Sequence, residues 1–289
     1  MPIYRNTIKL LRIPFSFFLM PLFLLALSQS TSIVLFKAIL SFIIIHLLVY
    51  PASNGYNSYI DKDDSPIGGL EKPPVPTKTL FYTTIAMDIL SLVLSLILIS
   101  PLFALFVFGY ILASKAYSSK QSRLKKYPFI GFLVVVVFQG AFTYYMAYLG
   151  ISGNAMVLSK TSMFLLLACS FQIAGAYPLT QIYQHKQDYA DGVITLSYKL
   201  GYMGTFIFTA LMFFICNVFY FLHFNSINRV SNFYIIQLFF LPMVAYFIYW
   251  FYLVQKDHDN ANFKNTMRMN SFAATCMNTC FITLYVINH

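Results

Sequence analysis

Two segments of the sequence share a pattern of tyrosine, proline, amide and acidic residues that could hold a metal ion. Residues 50–64 and residues 177–191 both read Tyr-Pro-x-x-amide-x-Tyr-amide-x-x-x-Asp-x-x-Asp, where amide means Asn or Gln. If each segment continues as a helix past its proline, the amides and acids fall on one stripe, because residues three and four apart share a helix face. Oxygen ligands of this kind suit Mg²⁺, which binds through one or two carboxylates plus substrate phosphates.

The predicted metal ligands lie towards the ends of the two stripes: Asn57, Asp61, Asp64, Gln184, Asp188 and Asp191. Asp61 and Asp188 are the predicted catalytic residues. Carboxylates facing one another across a cavity repel strongly unless cations lie between them, which favours a bound metal. The alternative is that both segments are solvated helix ends, where acidic turns are common. Two matched copies, with amides on the same stripe, favour the functional interpretation.

The composition places these segments in a membrane protein. Of 289 residues, 59% are hydrophobic and only 10% are charged, whereas soluble domains carry about a quarter charged residues. Nine apolar runs are long enough to cross a hydrocarbon layer of about 30 Å. They cover residues 13–29, 32–53, 80–99, 101–118, 128–149, 161–182, 204–223, 233–254 and 269–287. We therefore predict an all-α fold, a polytopic bundle of nine transmembrane helices forming one domain over residues 1–289. Residues 15–26 also resemble a signal peptide, but the count of nine needs them as the first span.

The charges follow this topology. Nine spans place the loops alternately on two sides, and 16 of the 19 Lys and Arg fall on the side of the N-terminus. The asymmetry predicts a multi-pass protein of the cell (inner) membrane with a cytoplasmic N-terminus and an external C-terminus. It also explains the net charge of +10 without a nucleic-acid partner.

Eight of the nine acidic residues lie on the same side as the basic ones. The ninth, Asp88, lies within the third span, where it either faces a partner or cavity or reaches the interface. The acidic segments, at residues 54–65 and 181–192, are 127 residues apart. Because this offset equals four spans, both copies keep the same orientation, which predicts a parallel internal pseudo-repeat.

The two segments resemble the Asp-rich motifs of the UbiA family of intramembrane prenyltransferases, which have nine helices and carry one motif after helix 2 and one after helix 6. Residues 57–65 keep the Asn and the middle Asp of the family's first motif, with Ser in place of its other two acids. Residues 192–196 read Gly-Val-Ile-Thr-Leu and match the Gly-x-x-Thr-Leu that follows the second motif, in which Gln184 replaces an Asp. Tyr117, Ser118 and the basic residues after them are similar to the family's loop between helices 4 and 5.

The resemblance implies transfer of an isoprenoid group from an allylic prenyl diphosphate to a lipophilic acceptor, most commonly an aromatic quinone precursor, with Mg²⁺ as cofactor. Mg²⁺ held between the stripes would neutralise the leaving diphosphate and favour C–O ionisation. The predicted diphosphate contacts are Tyr117, Lys120, Arg123 and Lys125. The alternative for the basic residues is a purely topological signal with anionic-lipid contact. Aromatic faces would shield the allylic cation, and the candidates are Tyr56, Tyr59, Tyr144 and Tyr145.

Two other functions stay open at this point. Parallel repeats, proline-broken helices and facing polar stripes also occur in secondary transporters, although the acids here lie at span ends and only Asp88 approaches mid-membrane. The replacements at Ser65 and Gln184 also allow a catalytically silent relative that binds a prenyl lipid. The acceptor has no signature in the sequence.

Overall fold

The computed structural model describes residues 2–190 and 192–289, and its regular elements are helical throughout these ranges. The α-helices are α1 (Pro2–Leu11), α2 (Met20–Gln29), α3 (Leu35–Phe42), α4 (Tyr50–Asp61), α5 (Lys78–Leu94), α6 (Pro101–Ser118), α7 (Pro128–Val137), α8 (Thr143–Ser152), α9 (Lys160–Thr180), α10 (His185–Ala190), α11 (Leu196–Ser226), α12 (Val230–Lys256) and α13 (Phe263–Asn288). Short π-helical turns extend α3, α5 and α7 at Ile43–Val49, Ser95–Ile99 and Phe138–Phe142. The all-α prediction is confirmed.

Within the described residues, eight helical stretches are long and apolar enough to cross a membrane: Leu35–Asp61, Lys78–Ile99, Pro101–Ser118, Pro128–Ser152, Lys160–Ala190, Leu196–Ser226, Val230–Lys256 and Phe263–Asn288. The helical pair Tyr4–Phe18 and Met20–Gln29, bent by 44°, supplies a ninth span if it is counted as one. Pro14 and Pro21 flank this bend, and each removes a backbone donor that a straight helix needs. The predicted bundle is therefore present, with a bent first span.

The first acidic segment is helical only as far as Asp61. Lys62 adopts a left-handed conformation with φ of 56° and caps α4, which is a common way for a helix to end. The residues that follow approach Pro66, which disfavours helix in the residue before it. The expected continuation of this helix to Asp64 is therefore wrong, and Asp64 lies in an exposed bend.

The second acidic segment is broken where the first is continuous. α9 contains Pro178, which removes one helical hydrogen bond, and it ends two residues later at Thr180. A 3₁₀ turn at Ile182–Gln184 then leads into the short α10. The two copies of the repeat thus approach the same end of the bundle, here called the motif end, along different backbone paths.

Asp88 pairs with a lysine inside the bundle. Its carboxylate lies 2.7 Å from Lys115 Nζ, so the ion pair joins α5 to α6. Lys115 Nζ also lies 3.9 Å from the ring centre of Tyr56 on α4. Of the two expectations for Asp88, the structure shows the one in which this acid faces a partner.

A layer of large buried side chains closes the bundle away from the motif end. Tyr220 and Phe224 on α11 pack in one core cluster with Phe281 on α13. None of the three is more than 2% exposed. Packing of this density leaves the open space of the bundle towards the motif end.

Candidate active site

A polar cavity of about 180 Å³ opens at the motif end. Seven of the predicted site residues line it together: Asn57, Asp61, Tyr117, Arg123, Lys125, Gln184 and Asp188. They come from the end of α4, the end of α6, the loop after α6 and the segment that includes α10. Side chains 127 residues apart in the sequence, Asp61 and Asp188, therefore face one space.

Two other predicted residues, Asp64 and Lys120, are not brought to this cavity. Both are exposed. Asp64 is excluded because α4 ends before it, and its neighbour Asp63 lines the cavity instead. Asp191 lies outside the described residues.

Asp61 is the most constrained of the carboxylates. Its Oδ2 accepts a hydrogen bond from Lys125 Nζ in a buried ion pair. Its Oδ1 is also buried, and no group among the described residues donates to it. A buried carboxylate oxygen without a donor is costly, so this atom is suited to a ligand that carries positive charge.

The amides around Asp61 are held by hydrogen bonds that orient them. Asn57 Oδ1 accepts from Ser118 Oγ at 2.7 Å, and Gln184 Nε2 donates to the Pro66 carbonyl at 3.2 Å. Gln181 Nε2 donates to the Tyr177 hydroxyl at 2.9 Å. Its Oε1 is buried and accepts no hydrogen bond from the described part of the chain. Amide and carboxylate oxygens thus converge on one cavity.

This donor set fits a hard cation that keeps other ligands. Among residues 2–190 and 192–289, no three His, Cys, Asp or Glu side chains cluster closely enough to form a metal site by themselves. Mg²⁺ does not need such a cage, because it binds proteins through one or two carboxylates and completes its shell with water and phosphate. Asp61 Oδ1, Gln181 Oε1 and the Asp188 carboxylate are oxygen donors of the required type.

Arg12 is a third cation at the cavity, and the sequence did not identify it. It is 9% exposed, lines the polar cavity, and donates to the carbonyls of Gly68 and Asn54 at 3.0 and 3.2 Å. In the sequence it counts only as a positive charge before the first span. Its position depends on how α1 packs against α4, and no local sequence pattern predicts that packing.

An apolar cavity of about 250 Å³ adjoins the polar one. The two share four lining residues, Phe15, Tyr177, Thr180 and Asn270. At this junction the hydroxyls of Tyr177 and Tyr117 hydrogen-bond to each other. The site therefore combines a charged chamber with an apolar one that extends into the bundle.

The tyrosines expected to shield a cation do not line either cavity. Tyr144 is buried in the core, and Tyr56 contacts Lys115 instead. Tyr59 and Tyr145 pack against other aromatic rings. The aromatic hydroxyl residues at the polar cavity are Tyr117, Tyr177 and Tyr183. The chain has 22 tyrosines, and the sequence cannot show which of them line the cavity, because the packing of the helices decides it.

Comparison with known proteins gives one consistent result. The sequence profile of the UbiA prenyltransferase family matches residues 17–272. No curated protein sequence matches the chain significantly. A UbiA homologue from Archaeoglobus fulgidus bound to GPP and Mg²⁺ superposes with a TM-score of 0.69 at 16% identity, over 97% of this chain and 99% of that one.

Two further structures have the same fold. The Archaeoglobus fulgidus homologue bound to DMAPP and Mg²⁺ gives a TM-score of 0.67 at 16% identity, over 98% of this chain and 99% of that one. A digeranylgeranylglyceryl phosphate synthase gives 0.62 at 18% identity, over 99% and 98%. At these identities the structural likeness establishes the shared fold.

Proposed function

We propose a prenyl-transfer reaction for this chain on the premise that it belongs to the UbiA prenyltransferase family, whose profile spans most of its length. The reaction moves an isoprenoid group from an allylic prenyl diphosphate to a lipophilic acceptor. The observation that carries the proposal is the paired cavity. Asp61 and Asp188 meet cationic side chains in a polar chamber that opens into an apolar one of about 250 Å³. A diphosphate with a hydrocarbon tail has the same two-part chemistry.

The polar chamber is suited to the diphosphate and its metal ion. Asp61, Asp188 and the nearby amide oxygens would hold Mg²⁺, which, when bound, neutralises phosphate charge and favours departure of pyrophosphate. The related structures that contain DMAPP or GPP together with Mg²⁺ support this cofactor. Arg12, Arg123 and Lys125 line the same chamber and can donate charge-assisted hydrogen bonds to phosphate oxygens.

The other residues orient the substrate and exclude water. The Tyr117 and Tyr177 hydroxyls lie where the polar chamber meets the apolar one, so they flank the position of the allylic carbon. The apolar chamber takes the prenyl chain out of water and keeps bulk solvent from the allylic cation, which would otherwise be hydrolysed. Aromatic faces at this junction favour positive charge through their quadrupoles.

For the acceptor we propose a lipophilic aromatic ring of the quinone-precursor type. The membrane setting supports a lipophilic acceptor, because a multi-pass membrane protein draws its second substrate from the lipid phase or its interface. The aromatic ring is the acceptor that the resemblance to the family most commonly implies. One structural relative is a digeranylgeranylglyceryl phosphate synthase, so a glycerol phosphate lipid is the acceptor to compare. The distribution of Lys and Arg supports a cell-membrane location with the motif end and the N-terminus on the cytoplasmic side.

Incubation of the purified full-length chain with labelled prenyl diphosphates and candidate acceptors tests the proposal. Product that forms with Mg²⁺ and is abolished by EDTA supports prenyl transfer. Movement of a solute across reconstituted vesicles, without binding of any prenyl diphosphate, would favour a secondary transporter. Prenyl diphosphate that binds without reacting with any acceptor would identify a catalytically silent relative.

A further inference from the structure

The apolar cavity ends at one layer of side chains deep in the bundle. On each of four surrounding helices, one residue is the cavity-lining side chain farthest from the motif end: Gln172 on α9, Tyr220 on α11, Ile236 on α12 and Met277 on α13. The Tyr220 hydroxyl donates to Gln172 Oε1 at 2.7 Å. This hydrogen bond ties α9 to α11 across the end of the cavity, so the layer forms a floor.

Among the described residues, the core beyond this floor is filled by packed side chains and does not continue the cavity. Phe224 is the next large side chain on the same face of α11, one turn beyond Tyr220, and it is fully buried. Phe281 and Leu284 on α13 are fully buried as well, and all three belong to the core cluster that contains Tyr220. Tyr220 is itself 2% exposed and is the largest side chain of the floor.

The depth of the cavity can be read along α9. Thr180 lines both cavities, and Gln172 lies eight residues earlier, which at 1.5 Å per residue is about 12 Å. An extended chain advances roughly 1.2 Å per bond, as three backbone bonds span about 3.6 Å in a polypeptide. The main chains of C10, C15 and C20 prenyl groups have about seven, eleven and fifteen carbon–carbon bonds, or roughly 8, 13 and 18 Å on the same scale. The depth of the cavity therefore matches a C15 group and is too short for a C20 group.

We propose that Tyr220, held by Gln172, limits the length of the prenyl chain that this protein accepts. Chains of ten and fifteen carbons end at or before the floor, whereas a chain of twenty carbons overruns it. This inference rests on the proposed function, because it assigns the apolar cavity to the prenyl chain. It makes Tyr220 a specificity-determining residue that lies far from the reacting atoms.

Binding of geranyl, farnesyl and geranylgeranyl diphosphate to the full-length chain in lipid nanodiscs, with Mg²⁺ and without acceptor, tests the inference. We expect the unmodified chain to bind the C15 donor about tenfold more tightly than the C20 donor, the penalty of overfilling a packed site. Tyr220→Ala opens the floor and should abolish that difference without changing C10 binding. Phe206→Ala is the matched control, since Phe206 is 1% exposed but belongs to a separate core cluster and does not line the cavity.

A second variant tests the same inference in the opposite direction and does not remove core volume. Ile236 is the floor residue on α12. Ile236→Phe should raise the floor and weaken C15 binding about tenfold, while C10 binding stays the same. This variant decides the question if Tyr220→Ala does not fold.

The outcomes separate the inference from the proposed function. If the unmodified chain binds C15 and C20 donors equally, the chain leaves the bundle for the bilayer and the inference is wrong. An equal gain of C20 binding in Tyr220→Ala and Phe206→Ala would mean general loosening and would overturn it as well. If none of the three diphosphates binds, the proposed function itself fails.

Discussion

At the scale of single residues, Asp61 and Lys125 form a buried ion pair in the wall of the polar cavity. One carboxylate oxygen of Asp61 accepts from Lys125, and the other is buried without a donor among the described residues. Burying a carboxylate in this way is costly unless a second cation completes its coordination. Asp61 can therefore contact Lys125 through one carboxylate oxygen and a metal ion, bound with the substrate, through the other.

Asp61 and Asp64 provide a matched pair for testing metal binding, because both belong to the same repeat. Asp61→Asn should lower Mg²⁺-dependent turnover by about a hundredfold or more, as expected when a group that stabilises developing charge is removed. Asp64→Asn should leave turnover within about twofold of the unmodified chain, since an exposed charge outside the cavity contributes little. Steady-state prenylation rates measure both. Equal losses in the two variants would contradict the assignment of Asp61 and exclude Asp64 as a control.

Lys125 should act in opposite directions on metal and substrate. Lys125→Met removes the cation that competes for Asp61, so binding of Mg²⁺ alone should tighten by roughly tenfold, while binding of a prenyl diphosphate should weaken by a similar factor. Calorimetric titration with each ligand measures the two effects. Lys120→Met is the control, because Lys120 is exposed and does not line the cavity. Loss of both affinities together would show that Lys125 only supports the local structure.

How far the site can be predicted from the sequence depends on the residue. Asp61 and Asp188 occupy matching positions of the sequence repeat, and both line the polar cavity. This prediction does not depend on the backbone path between the two segments. Asp64 is misplaced because the repeat conceals the left-handed turn at Lys62 that ends α4. Arg12 is missed because the packing of α1 brings it to the cavity, and that packing has no signature within its own segment.

At the scale of elements, the pair of Asp88 and Lys115 fixes α6 against α5. Lys115 lies three residues before Ser118, whose hydroxyl orients Asn57 at the polar cavity. The pair therefore sits behind the site and holds the helix end that shapes it.

Removing one partner of this pair should be far more damaging than removing both. Lys115→Met leaves the Asp88 carboxylate buried and alone, which should destabilise the bundle by about 3–5 kcal/mol. The double variant Asp88→Asn/Lys115→Met should recover most of that loss, because no unpaired charge remains. Unfolding of the purified chain in detergent measures the three proteins. A double variant as unstable as the single one would show that the pair contributes through shape and not through charge.

The elements themselves are the part of the fold that the sequence predicts best. Apolar runs of about twenty residues have few alternatives in a bilayer, because every backbone polar group must be satisfied within the chain. The bend of 44° in the first span and the break of the second segment after Pro178 are less predictable. A proline lies at or near both places, but the direction in which each helix bends depends on the neighbouring helices.

At the scale of the whole molecule, the polar cavity is where the two halves of the chain meet. α4 brings Asn57 and Asp61 from the first half, and the segment around α10 brings Gln184 and Asp188 from the second. The carboxylates of Asp61 and Asp188 carry like charges, so the two halves repel one another at this cavity unless cations lie between them. Lys125 and Arg123 supply part of that compensation from the loop after α6.

Ligand binding at this cavity should therefore stabilise the complete bundle. Mg²⁺ with inorganic pyrophosphate at about a hundred times the dissociation constant should raise the free energy of unfolding by about 2.7 kcal/mol, provided that only the folded state binds. A farnesyl diphosphate analogue that cannot ionise should stabilise further, because its chain also fills the apolar cavity. Thermal unfolding of the chain in detergent, followed by intrinsic fluorescence, measures both shifts. The variant Asp61→Asn/Asp188→Asn should lose the response to pyrophosphate. If that variant is still stabilised to the same extent, the anion binds elsewhere and the two acidic segments do not form one site.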